Sequence, residues 1–413
     1  MKYGLIGEHL PHSFSAQIHS LIGGYDYKLR EINREDLGAF MEKKEFEGIN
    51  VTIPYKQAVM PYLDEISGEA LAIGAVNTVV NRNGKLYGYN TDIGGLKALI
   101  QRTGTSLKGK KVLILGTGGT SKTAYAAAVQ EGAAAAIRLS RSPKGDAVSY
   151  EEAASLHGDA EVIINTTPCG MFPDTEGLPI DLSLFPNVAA VVDVVYNPLR
   201  TRLVSEAVKR GIKAEGGLYM LVKQAVLASE LFLDTKYDSI LTDKVFNSVK
   251  ASKENIVLTG MPSCGKSTVG GILARLTGRP MFDTDKYLEE KHGISVPEMF
   301  TRYGEPKFRD MEAEAVRELS VESGCIIATG GGAVMRAESA ERLKRNGHLY
   351  FLDRPLEELV ATDDRPMSRT AEALRQRYEE RYPTYLSTAD SVVKVRGSAE
   401  DVAKDIIERH GKT

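Results

Sequence analysis

Several features that would mark a membrane, secreted or nucleic-acid-binding protein are scarce in this chain. It contains no Trp and only three Cys, and these cysteines, Cys169, Cys264 and Cys325, are scattered without metal-ligand spacing. This usage predicts a reducing, cytoplasmic compartment and no disulfide. No apolar run approaches the length of a membrane helix, about 20 residues, and residues 1–7 read as a first strand rather than a signal peptide. The net charge of −3 gives no basic field for nucleic acid or an anionic membrane.

The length and composition are those of a globular protein with more than one domain. A chain of 413 residues predicts two or three domains, and 42% hydrophobic residues are enough for ordinary cores. We find no internal repeat and no low-complexity tract in the sequence. The function must therefore be inferred from local motifs.

The sharpest motif lies past the middle of the chain, where residues 260–267 have the Walker A spacing, Gly-x4-Gly-Lys-Ser. An apolar run, 256–258, precedes it and a helical pattern, 269–276, follows, which is the context of a phosphate cradle. The backbone N–H groups of such a loop wrap the β-phosphate, Lys266 reaches the β/γ oxygens, and the Ser267 hydroxyl can ligate Mg²⁺. A chance Gly-rich turn before a surface helix is the alternative. The flanking strand and helix favour a nucleotide site.

A second glycine loop points to a dinucleotide. The apolar run 112–115 is followed by Gly116-Thr117-Gly118-Gly119-Thr120 and an Ala-rich helix, although Ser121 replaces the usual third glycine. The loop fits a tight turn and a close backbone approach to a pyrophosphate at a helix N-terminus. The next strand, 136–139, ends at Ser140-Arg141-Ser142. An arginine between hydroxyls suits a 2′-phosphate and favours NADP over NAD, whereas a solvated loop arginine is the alternative.

Polar runs in the first hundred residues supply candidate catalytic groups. Ser13 and Ser15 precede a helical stretch, where their hydroxyls either cap the helix or bind a carboxylate. Pro54 can open a helix, which places Lys56 in the first turn, where the helix dipole would lower its pKa and suit it to proton transfer. A solvated lysine is the alternative, as a plain N-cap is for Asp92.

Acidic and basic residues around the Walker A motif suit phosphoryl transfer. Asp283 and Asp285 follow a second strand, where carboxylates can hold Mg²⁺ or accept a proton from a hydroxyl. Arg365 lies in a loop, and Arg381 lies near the end of a helix. Arginines of this kind neutralise the charge that develops on a moving phosphoryl group, although each taken singly could be a surface residue.

These motifs, in this order, resemble two known families. Residues 1 to about 247 resemble shikimate dehydrogenase, and residues 254–413 resemble shikimate kinase. In the first part the matches are Ser13, Ser15, Asn50–Lys56, Gly74–Thr78, Asn90–Asp92, the loop from Gly116, Asn165–Pro168, Tyr196 and Gly217–Gln224. In the second they are the Walker A loop, Asp283, Asp285, Phe308–Asp310, Gly330–Gly332, Arg365-Pro366, Glu380-Arg381, Tyr385 and Ala389-Asp390.

The dehydrogenase resemblance implies that Lys56 and Asp92 form the catalytic pair. Lys56 would protonate the alkoxide formed when NADPH reduces the ketone of 3-dehydroshikimate, and Asp92 would orient Lys56 and bind substrate hydroxyls. Further substrate-binding residues would be Ser13, Ser15, Thr52, Asn77, Tyr196 and Gln224, with the serines on the carboxylate. NADP(H) would contact Gly116, Thr117, Gly118, Gly119, Thr120, Ser140, Arg141, Ser142, Thr166, Val194 and Gly217.

The kinase resemblance implies a shikimate site beside the Walker A loop. Arg309 and Arg381 would bind the shikimate carboxylate, Gly331 would pack on the ring, and Asp285 would bind ring hydroxyls and act as the base. Lys266 and Arg365 would stabilise the transferred phosphoryl group of ATP, and Ser267 with Asp283 would hold Mg²⁺. Residues Ser263, Cys264, Gly265 and Thr268 would complete the ATP contacts.

We therefore expect an α/β protein with three parts. Residues 1–97, with about 225–247, would form the α/β substrate domain and residues 98–224 a Rossmann NADP domain. A linker, 248–253, would lead to a P-loop domain with a parallel sheet, 254–413, like that of nucleoside monophosphate kinases. We expect a cytoplasmic, bifunctional enzyme without nucleic-acid or membrane partners, and homodimer formation stays open. The alternative is an NAD-using quinate/shikimate dehydrogenase fused to a regulatory P-loop module without kinase activity.

Overall fold

The computed structural model describes residues 1–10, 13–359 and 371–411, without the side chain of Ala371. The chain divides into two compact units, Met1–Val249 and Lys250–Thr413. None of the helices in the described ranges combines the length and the apolar composition that a membrane crossing requires.

The first unit begins with a mixed sheet. Its strands are β1 (Tyr3–Gly7), β2 (Tyr27–Glu31), β3 (Gly48–Val51), β4 (Glu65–Ile66), β5 (Thr78–Arg82) and β6 (Lys85–Tyr89), in the spatial order β2-β1-β3-β5-β6-β4. Strands β1, β2 and β3 are parallel to one another, and β5 is antiparallel to β3 and β6. The accompanying helices are α1 (Ser15–Ile22), α2 (Leu37–Lys43), α3 (Gly68–Ile73) and α4 (Asp92–Arg102).

A second, parallel sheet follows in the same unit. Its strands are β7 (Lys111–Leu115), β8 (Ala135–Ser140), β9 (Val148–Ser149), β10 (Val162–Asn165), β11 (Ala190–Asp193) and β12 (Lys213–Glu215). The spatial order β12-β11-β10-β7-β8-β9 is that of a doubly wound dinucleotide fold. The helices are α5 (Gly119–Gln130), α6 (Tyr150–His157), α7 (Arg202–Lys209), α8 (Leu218–Leu233) and α9 (Ile240–Lys253).

The continuous apolar run of β7 reflects burial on both faces of this sheet. Val112 and Ile114 pack in the core beneath α4 and α5, whereas Leu113 and Leu115 pack in the core on the opposite face. Successive side chains of a strand point to opposite faces, so a strand covered on both sides has no polar alternation. The Rossmann arrangement predicted from residues 112–129 is confirmed.

Helix α8 belongs to both halves of the first unit. Its Met220 joins the core of the second sheet, and its Phe232 packs with Tyr3 and Leu5 of the first. The expected boundary at residue 224 therefore falls inside one continuous helix. The stretch 248–253, expected as a linker, is likewise helical, since α9 extends to Lys253.

The second unit is built on a parallel sheet in the order β14-β15-β13-β16-β17. The strands are β13 (Asn255–Thr259), β14 (Met281–Asp283), β15 (Ile326–Ala328), β16 (Gly347–Asp353) and β17 (Ser391–Lys394). The helices are α10 (Lys266–Thr277), α11 (Thr284–His292), α12 (Val296–Leu319), α13 (Ala337–Asn346), α14 (Ala371–Thr388) and α15 (Ala399–His410). The Walker A loop leaves the central strand, β13, where the predicted P-loop context is confirmed.

Candidate active sites of the two units

An ion pair between Lys56 and Asp92 lies at the centre of the first unit's site. Lys56 Nζ is 2.5 Å from Asp92 Oδ2, and the two side chains are 25% and 13% exposed. Lys56 stands in a turn, residues 53–59, after β3, so the expected helix opened by Pro54 is wrong. Its ammonium is therefore fixed in place by a carboxylate. Asp92 is the first residue of α4 and uses its carboxylate for this pair instead of a cap.

Asn77 braces the other oxygen of Asp92. Its Nδ2 donates to Asp92 Oδ1 at 2.9 Å and lies 3.0 Å from Thr91 Oγ1. The same amide reaches Gln224 Oε1 of α8 at 3.4 Å. The turn after β3 and the residue before β5 thus meet at one carboxylate at the start of α4, and α8 reaches the same group through Asn77.

The remaining predicted substrate residues lie on neighbouring elements. Ser13 Oγ accepts from the backbone N–H of Ser15 at 3.2 Å, at the start of α1. The ring of Phe14, between them, meets Tyr196 edge-to-face at 5.3 Å, and burial raises the pKa of Tyr196. Thr52 follows β3 directly and donates its backbone N–H to Ile6 O. Tyr196 therefore packs on the residue between the two serines.

The glycine loop after β7 has the shape of an anion cradle. Gly116 has a φ of 103°, and Gly118 directly precedes α5. A Cβ added to Gly118 or Gly119 would meet no atom within 4 Å, so the space beside these two glycines is open. Ser121 Oγ donates to Gly116 O at 2.6 Å. The hydroxyl ties the loop down where a third glycine is usual, and the residues present fit a pyrophosphate.

The other predicted NADP residues surround this loop. Ser140 ends β8 and its Oγ accepts from the backbone N–H of Ser142 at 3.2 Å, while Arg141 between them is exposed. Thr166 Oγ1, after β10, donates to Leu115 O at 2.6 Å. A Cβ on Gly217 would lie 2.0 Å from Val194 O. Gly217 is therefore required for the close approach of α8 to the end of β11. Thr117 is exposed and Thr120 is half-buried.

A buried carboxylate that the sequence analysis missed holds two of these strand ends together. Asp193, fully buried, accepts from Asn165 Nδ2 at 2.9 Å, Thr201 Oγ1 at 2.6 Å and the backbone N–H of Val195 at 3.0 Å. Burial raises the pKa of Asp193 to about 6, against the lowering effect of these donors. No sequence signal marked Asp193, because it stands inside an apolar run, 189–195, that predicts a strand.

The Walker A loop of the second unit is held in an anion-binding shape. Gly260, Ser263 and Gly265 have φ values of 140°, 64° and 101°. Lys266 Nζ donates to Gly260 O at 2.8 Å and to Met261 O at 2.9 Å, and the side chain is nearly buried. The ammonium group of Lys266 thus lies inside the loop and is hydrogen-bonded to backbone carbonyl oxygens of the loop.

Ser267 and Asp283 stand together at the start of α10 and the end of β14. Ser267 Oγ donates to Asp283 Oδ2 at 2.6 Å, and Asp283 Oδ1 accepts from the backbone N–H of Asp285 at 3.1 Å. A hydroxyl and one carboxylate fit Mg²⁺, which commonly keeps several waters and takes further oxygens from phosphates. The described ranges contain no cluster of three or more His, Cys, Asp or Glu side chains arranged for a metal ion.

The glycine triplet after β15 brings acid and base groups close to the backbone. A Cβ on Gly330 would lie 2.6 Å from both Asp285 Oδ1 and Glu312 Oε1. Arg309 Nη1 is 2.7 Å from Glu312 Oε2, and Arg309 Nη2 is 3.2 Å from Glu305 Oε1. Burial lowers the pKa of Arg309, but these two carboxylates outweigh it and the net shift is upward. Glu312, buried and missed by the sequence analysis, fixes the guanidinium.

Two side chains of α14 hold the same triplet from the other side. Arg381 Nη1 donates to Gly331 O at 3.0 Å and Tyr385 OH donates to the same oxygen at 2.5 Å. A Cβ on Gly331 would lie 3.2 Å from Pro262 of the Walker A loop. Arg309, Arg381, Gly331 and Asp285 are thus brought together, whereas Arg365 lies outside the described residues.

A cavity of about 450 Å³ lies at the ends of β16 and β17. Its lining includes Asp353, Arg354, Tyr382 and Arg396. The first glycine of the Walker A loop adjoins β16, since a Cβ on Gly260 would lie 2.9 Å from Leu352 O. The cavity is therefore next to the phosphate cradle.

Comparison with known proteins separates the same two parts of the chain. A shikimate dehydrogenase (NADP(+)) from Clostridium beijerinckii is 37% identical in an alignment over 264 residues that covers 59% of this chain and 96% of that protein. This chain belongs to the shikimate dehydrogenase family. Residues 5–79 match the family model of the shikimate dehydrogenase substrate binding domain, and residues 262–410 match that of shikimate kinase. The chain is thus a bifunctional enzyme of the shikimate pathway, with a dehydrogenase unit and a kinase unit.

Solved structures resemble the dehydrogenase unit. A chorismate mutase/shikimate 5-dehydrogenase fusion protein from Clostridium acetobutylicum has a TM-score of 0.57 and 36% identity, covering 60% of this chain and 96% of that one. Shikimate 5-dehydrogenase from Thermus thermophilus, in complex with NADP(H) and shikimate, has a TM-score of 0.54 and 32% identity, covering 60% and 99%. The first of these shows that a dehydrogenase of this type also occurs fused to another enzyme.

Proposed function

We propose that the dehydrogenase unit reduces 3-dehydroshikimate to shikimate with NADPH, and that the kinase unit phosphorylates shikimate to shikimate 3-phosphate with ATP and Mg²⁺. The observation that carries the first reaction is the Lys56–Asp92 ion pair at 2.5 Å, braced by Asn77. The family membership supports the substrate class. The two reactions are successive, because the hydroxyl made by the first accepts the phosphoryl group in the second.

In the reduction, Lys56 is the proton donor and Asp92 its positioning partner. Bound NADPH supplies a hydride to the carbonyl carbon. Negative charge then develops on the carbonyl oxygen, and Lys56 Nζ transfers a proton to it as the carbon–hydrogen bond forms. Asp92 Oδ2 holds the ammonium, while Asp92 Oδ1 and Asn77 face the substrate hydroxyls.

Ser13 and Ser15 at the start of α1 are proposed to bind the carboxylate of the substrate. Hydroxyl donors beside the positive end of a helix suit an anion. Tyr196, which packs on Phe14, closes the same side, and Thr52 and Gln224 complete the contacts to the ring hydroxyls. Burial raises the pKa of Tyr196, so its hydroxyl stays a donor at neutral pH.

The preference for NADP is assigned to Arg141 with Ser140 and Ser142. The exposed guanidinium follows β8, where a dinucleotide fold places the ribose of the adenosine half. A guanidinium with two hydroxyls complements a 2′-phosphate, whereas a carboxylate would be needed for an unmodified ribose. The names of the NADP-dependent relatives support this assignment.

In the kinase unit, the glycine triplet and the Walker A loop hold the two reactants. Arg309 and Arg381 bind the shikimate carboxylate, Gly331 packs on the ring, and Asp285 accepts the proton of the attacking hydroxyl. Lys266 exchanges the carbonyl oxygens of Gly260 and Met261 for phosphate oxygens, and Ser267 with Asp283 holds Mg²⁺. Arg365 remains assigned to the moving phosphoryl group. The cavity beside Asp353 takes the adenine base.

One pair of variants tests both activities in the intact chain. Lys56→Ala is expected to abolish NADPH oxidation by 3-dehydroshikimate and to keep phosphorylation of shikimate, whereas Lys266→Ala is expected to do the reverse. Each variant is the control for the other, because each must retain one full activity. The proposal is wrong if 3-dehydroshikimate does not cause the wild type to oxidise NADPH, or if the conversion of ATP to ADP by the wild type does not depend on shikimate.

A further inference from the structure

A buried chain of hydrogen bonds leads from β2 to the catalytic carboxylate of the dehydrogenase unit. Tyr27 OH donates to Asn50 Oδ1 at 2.7 Å, and Asn50 Nδ2 donates to Thr78 Oγ1 at 3.1 Å. Thr78 Oγ1 donates to Asn77 Oδ1 at 3.0 Å, and Asn77 Nδ2 donates to Asp92 Oδ1 at 2.9 Å. Every member passes a hydrogen in the same direction, and the last acceptor is the partner of Lys56.

Backbone groups at two points fix the direction of this chain. The backbone N–H of Thr91, which can only donate, points to Asn77 Oδ1 at 2.7 Å, so Asn77 Nδ2 must face Asp92. The backbone carbonyl of Asn77, which can only accept, lies 3.4 Å from Asn50 Nδ2, so this nitrogen also faces Thr78. Thr78 Oγ1 accepts there and must donate its own hydrogen elsewhere. Asn77 Oδ1 is a closer acceptor for it than Thr91 Oγ1, which lies at 3.3 Å.

The side chains of this hydrogen-bond chain are buried, so they depend on one another for hydrogen-bond partners. Asn50, Thr78 and Asn77 are 5%, 0% and 3% exposed, so water does not replace a lost partner. Asn50 of β3 stands opposite Thr78 of β5 in the sheet. The ring of Tyr27 stacks on His19 at a centroid distance of 3.7 Å, and burial raises the pKa of Tyr27 so that its hydroxyl remains a donor.

We propose that Thr78, Asn50 and Tyr27 are positioning residues of the dehydrogenase reaction, which hold the Asn77 carboxamide in the orientation that presents its N–H group to Asp92. The inference rests on the proposed role of the Lys56–Asp92 pair. None of the three needs to touch the substrate. Without the Thr78 hydroxyl, Asn77 Oδ1 keeps the backbone N–H of Thr91 and loses its second donor, so the carboxamide is held less firmly in its plane. Asp92 then no longer holds Lys56 in one geometry during proton transfer.

The test replaces the hydroxyl of Thr78 without changing the shape of the side chain. Thr78→Val is expected to lower kcat of reduction about tenfold, the effect of losing one buried hydrogen bond, while KM for 3-dehydroshikimate changes less than about threefold. Thr78→Ser, which restores the hydroxyl, is expected to recover most of kcat. Tyr27→Phe, four hydrogen bonds from Asp92, is expected to lower kcat about twofold to threefold.

Thr103→Val is the matched control. Thr103 is also buried in the dehydrogenase unit and its hydroxyl donates one bond, to Ile100 O at 2.7 Å, at the far end of α4 from Asp92. It should lower the melting temperature without changing kcat. An unchanged kcat in Thr78→Val, or no recovery in Thr78→Ser, overturns the positioning role. If Thr78→Val does not fold, Tyr27→Phe decides, and an unchanged kcat there overturns the proposal. A wild type without reductase activity would instead refute the proposed function.

Discussion

Ionisable side chains of both sites are paired within the protein itself. Lys56 is held by Asp92, and Arg309 is held by Glu312 and Glu305. Each pair keeps a charged group in one geometry, so substrate binding need not order a mobile side chain. Substituting one member of a pair should therefore change mainly one kinetic constant: kcat of reduction for the Lys56–Asp92 pair, and KM for shikimate for the Arg309–Glu312 pair.

Lys56→Ala should lower kcat of reduction at least about 100-fold, because removal of a positioned general acid costs about 10²–10⁴ in rate. Binding of shikimate should change less than about tenfold, since the other contacts remain. Stopped-flow measurement of NADPH oxidation and a binding titration separate the two effects. The matched control is Lys44→Ala, which removes another Lys–Asp pair of this unit, Lys44–Asp64 at 3.2 Å. A kcat near that of the wild type would exclude Lys56 as the proton donor.

Glu312→Gln should raise KM of the kinase for shikimate about tenfold and leave KM for ATP nearly unchanged. The neutral amide no longer fixes the Arg309 guanidinium, whose partner Glu312 is buried. Steady-state kinetics with each substrate varied in turn measures this split. Glu314→Gln on the same helix, 48% exposed and paired with Lys291, is the control. Equal effects on both KM values would argue against a specific role in carboxylate binding.

Single residues were predictable where the sequence displays them in a polar run. Lys56 and Asp92 stand in such runs, and the structure brings them into contact. Glu312 and Asp193 were not predictable, because the first lies among the other charges of a helix and the second ends an apolar strand. Their partners are side chains that only the fold brings near, such as Asn165 and Thr201 for Asp193.

At the scale of the elements, the C-terminal ends of strands β10 and β11 are joined by the buried side chain of Asp193, which accepts a hydrogen bond from Asn165. Burial raises the pKa of Asp193 to about 6, whereas an unfolded chain has about 3.9. The folded state therefore holds this proton more tightly. The contribution of Asp193 to the free energy of unfolding falls as the pH rises from about 4 to about 6.

The pH dependence should disappear when Asp193 cannot titrate. The difference in free energy of unfolding between the wild type and Asp193→Asn is expected to decrease by about 2 kcal/mol as the pH rises from 4 to 7. Chemical denaturation of both proteins across this range measures it. The Asn variant serves as the control for all other titrating groups. If the difference in free energy of unfolding stays constant or grows with pH, then burial does not raise the pKa of Asp193 in the folded protein.

Elements with a strong local pattern were predicted, and those set by distant contacts were not. The strand–loop–helix patterns at 112–129 and 256–276 are confirmed as β7 with α5 and β13 with α10. The segment after Pro54 is a turn and not a helix, and it carries Lys56 to Asp92 of a distant element, a contact that the local sequence does not display. Residues 248–253 are helical despite a polar composition, since Val249 is buried against the first unit's core.

At the scale of the whole molecule, every described residue assigned to one reaction belongs to one unit. The two reactions should therefore not depend on being in the same chain. A mixture of Lys56→Ala and Lys266→Ala, each at the wild-type concentration, is expected to convert 3-dehydroshikimate to the phosphorylated product at the steady-state rate of the wild type. Tethering two sites does not by itself align them.

Released shikimate, measured in the same coupled assay, is the decisive quantity. The wild type and the mixture should release equal amounts before the steady state. Less free shikimate with the wild type would show that the intermediate passes directly between sites, contrary to this expectation. A mixture of wild type with an equal amount of the double variant is the control for total protein.

Lys266 gives the Walker A loop a means of selecting among nucleotides. Its ammonium lies within the cradle and already donates to two carbonyl oxygens, so an incoming anion must replace these partners rather than supply missing ones. A ligand that reaches the lysine with β- and γ-oxygens can exchange partners with it without leaving the charge unpaired at any stage. A nucleoside monophosphate lacks those oxygens and would leave the lysine where it is. The loop should thus discriminate by phosphate number before any closing motion of the protein.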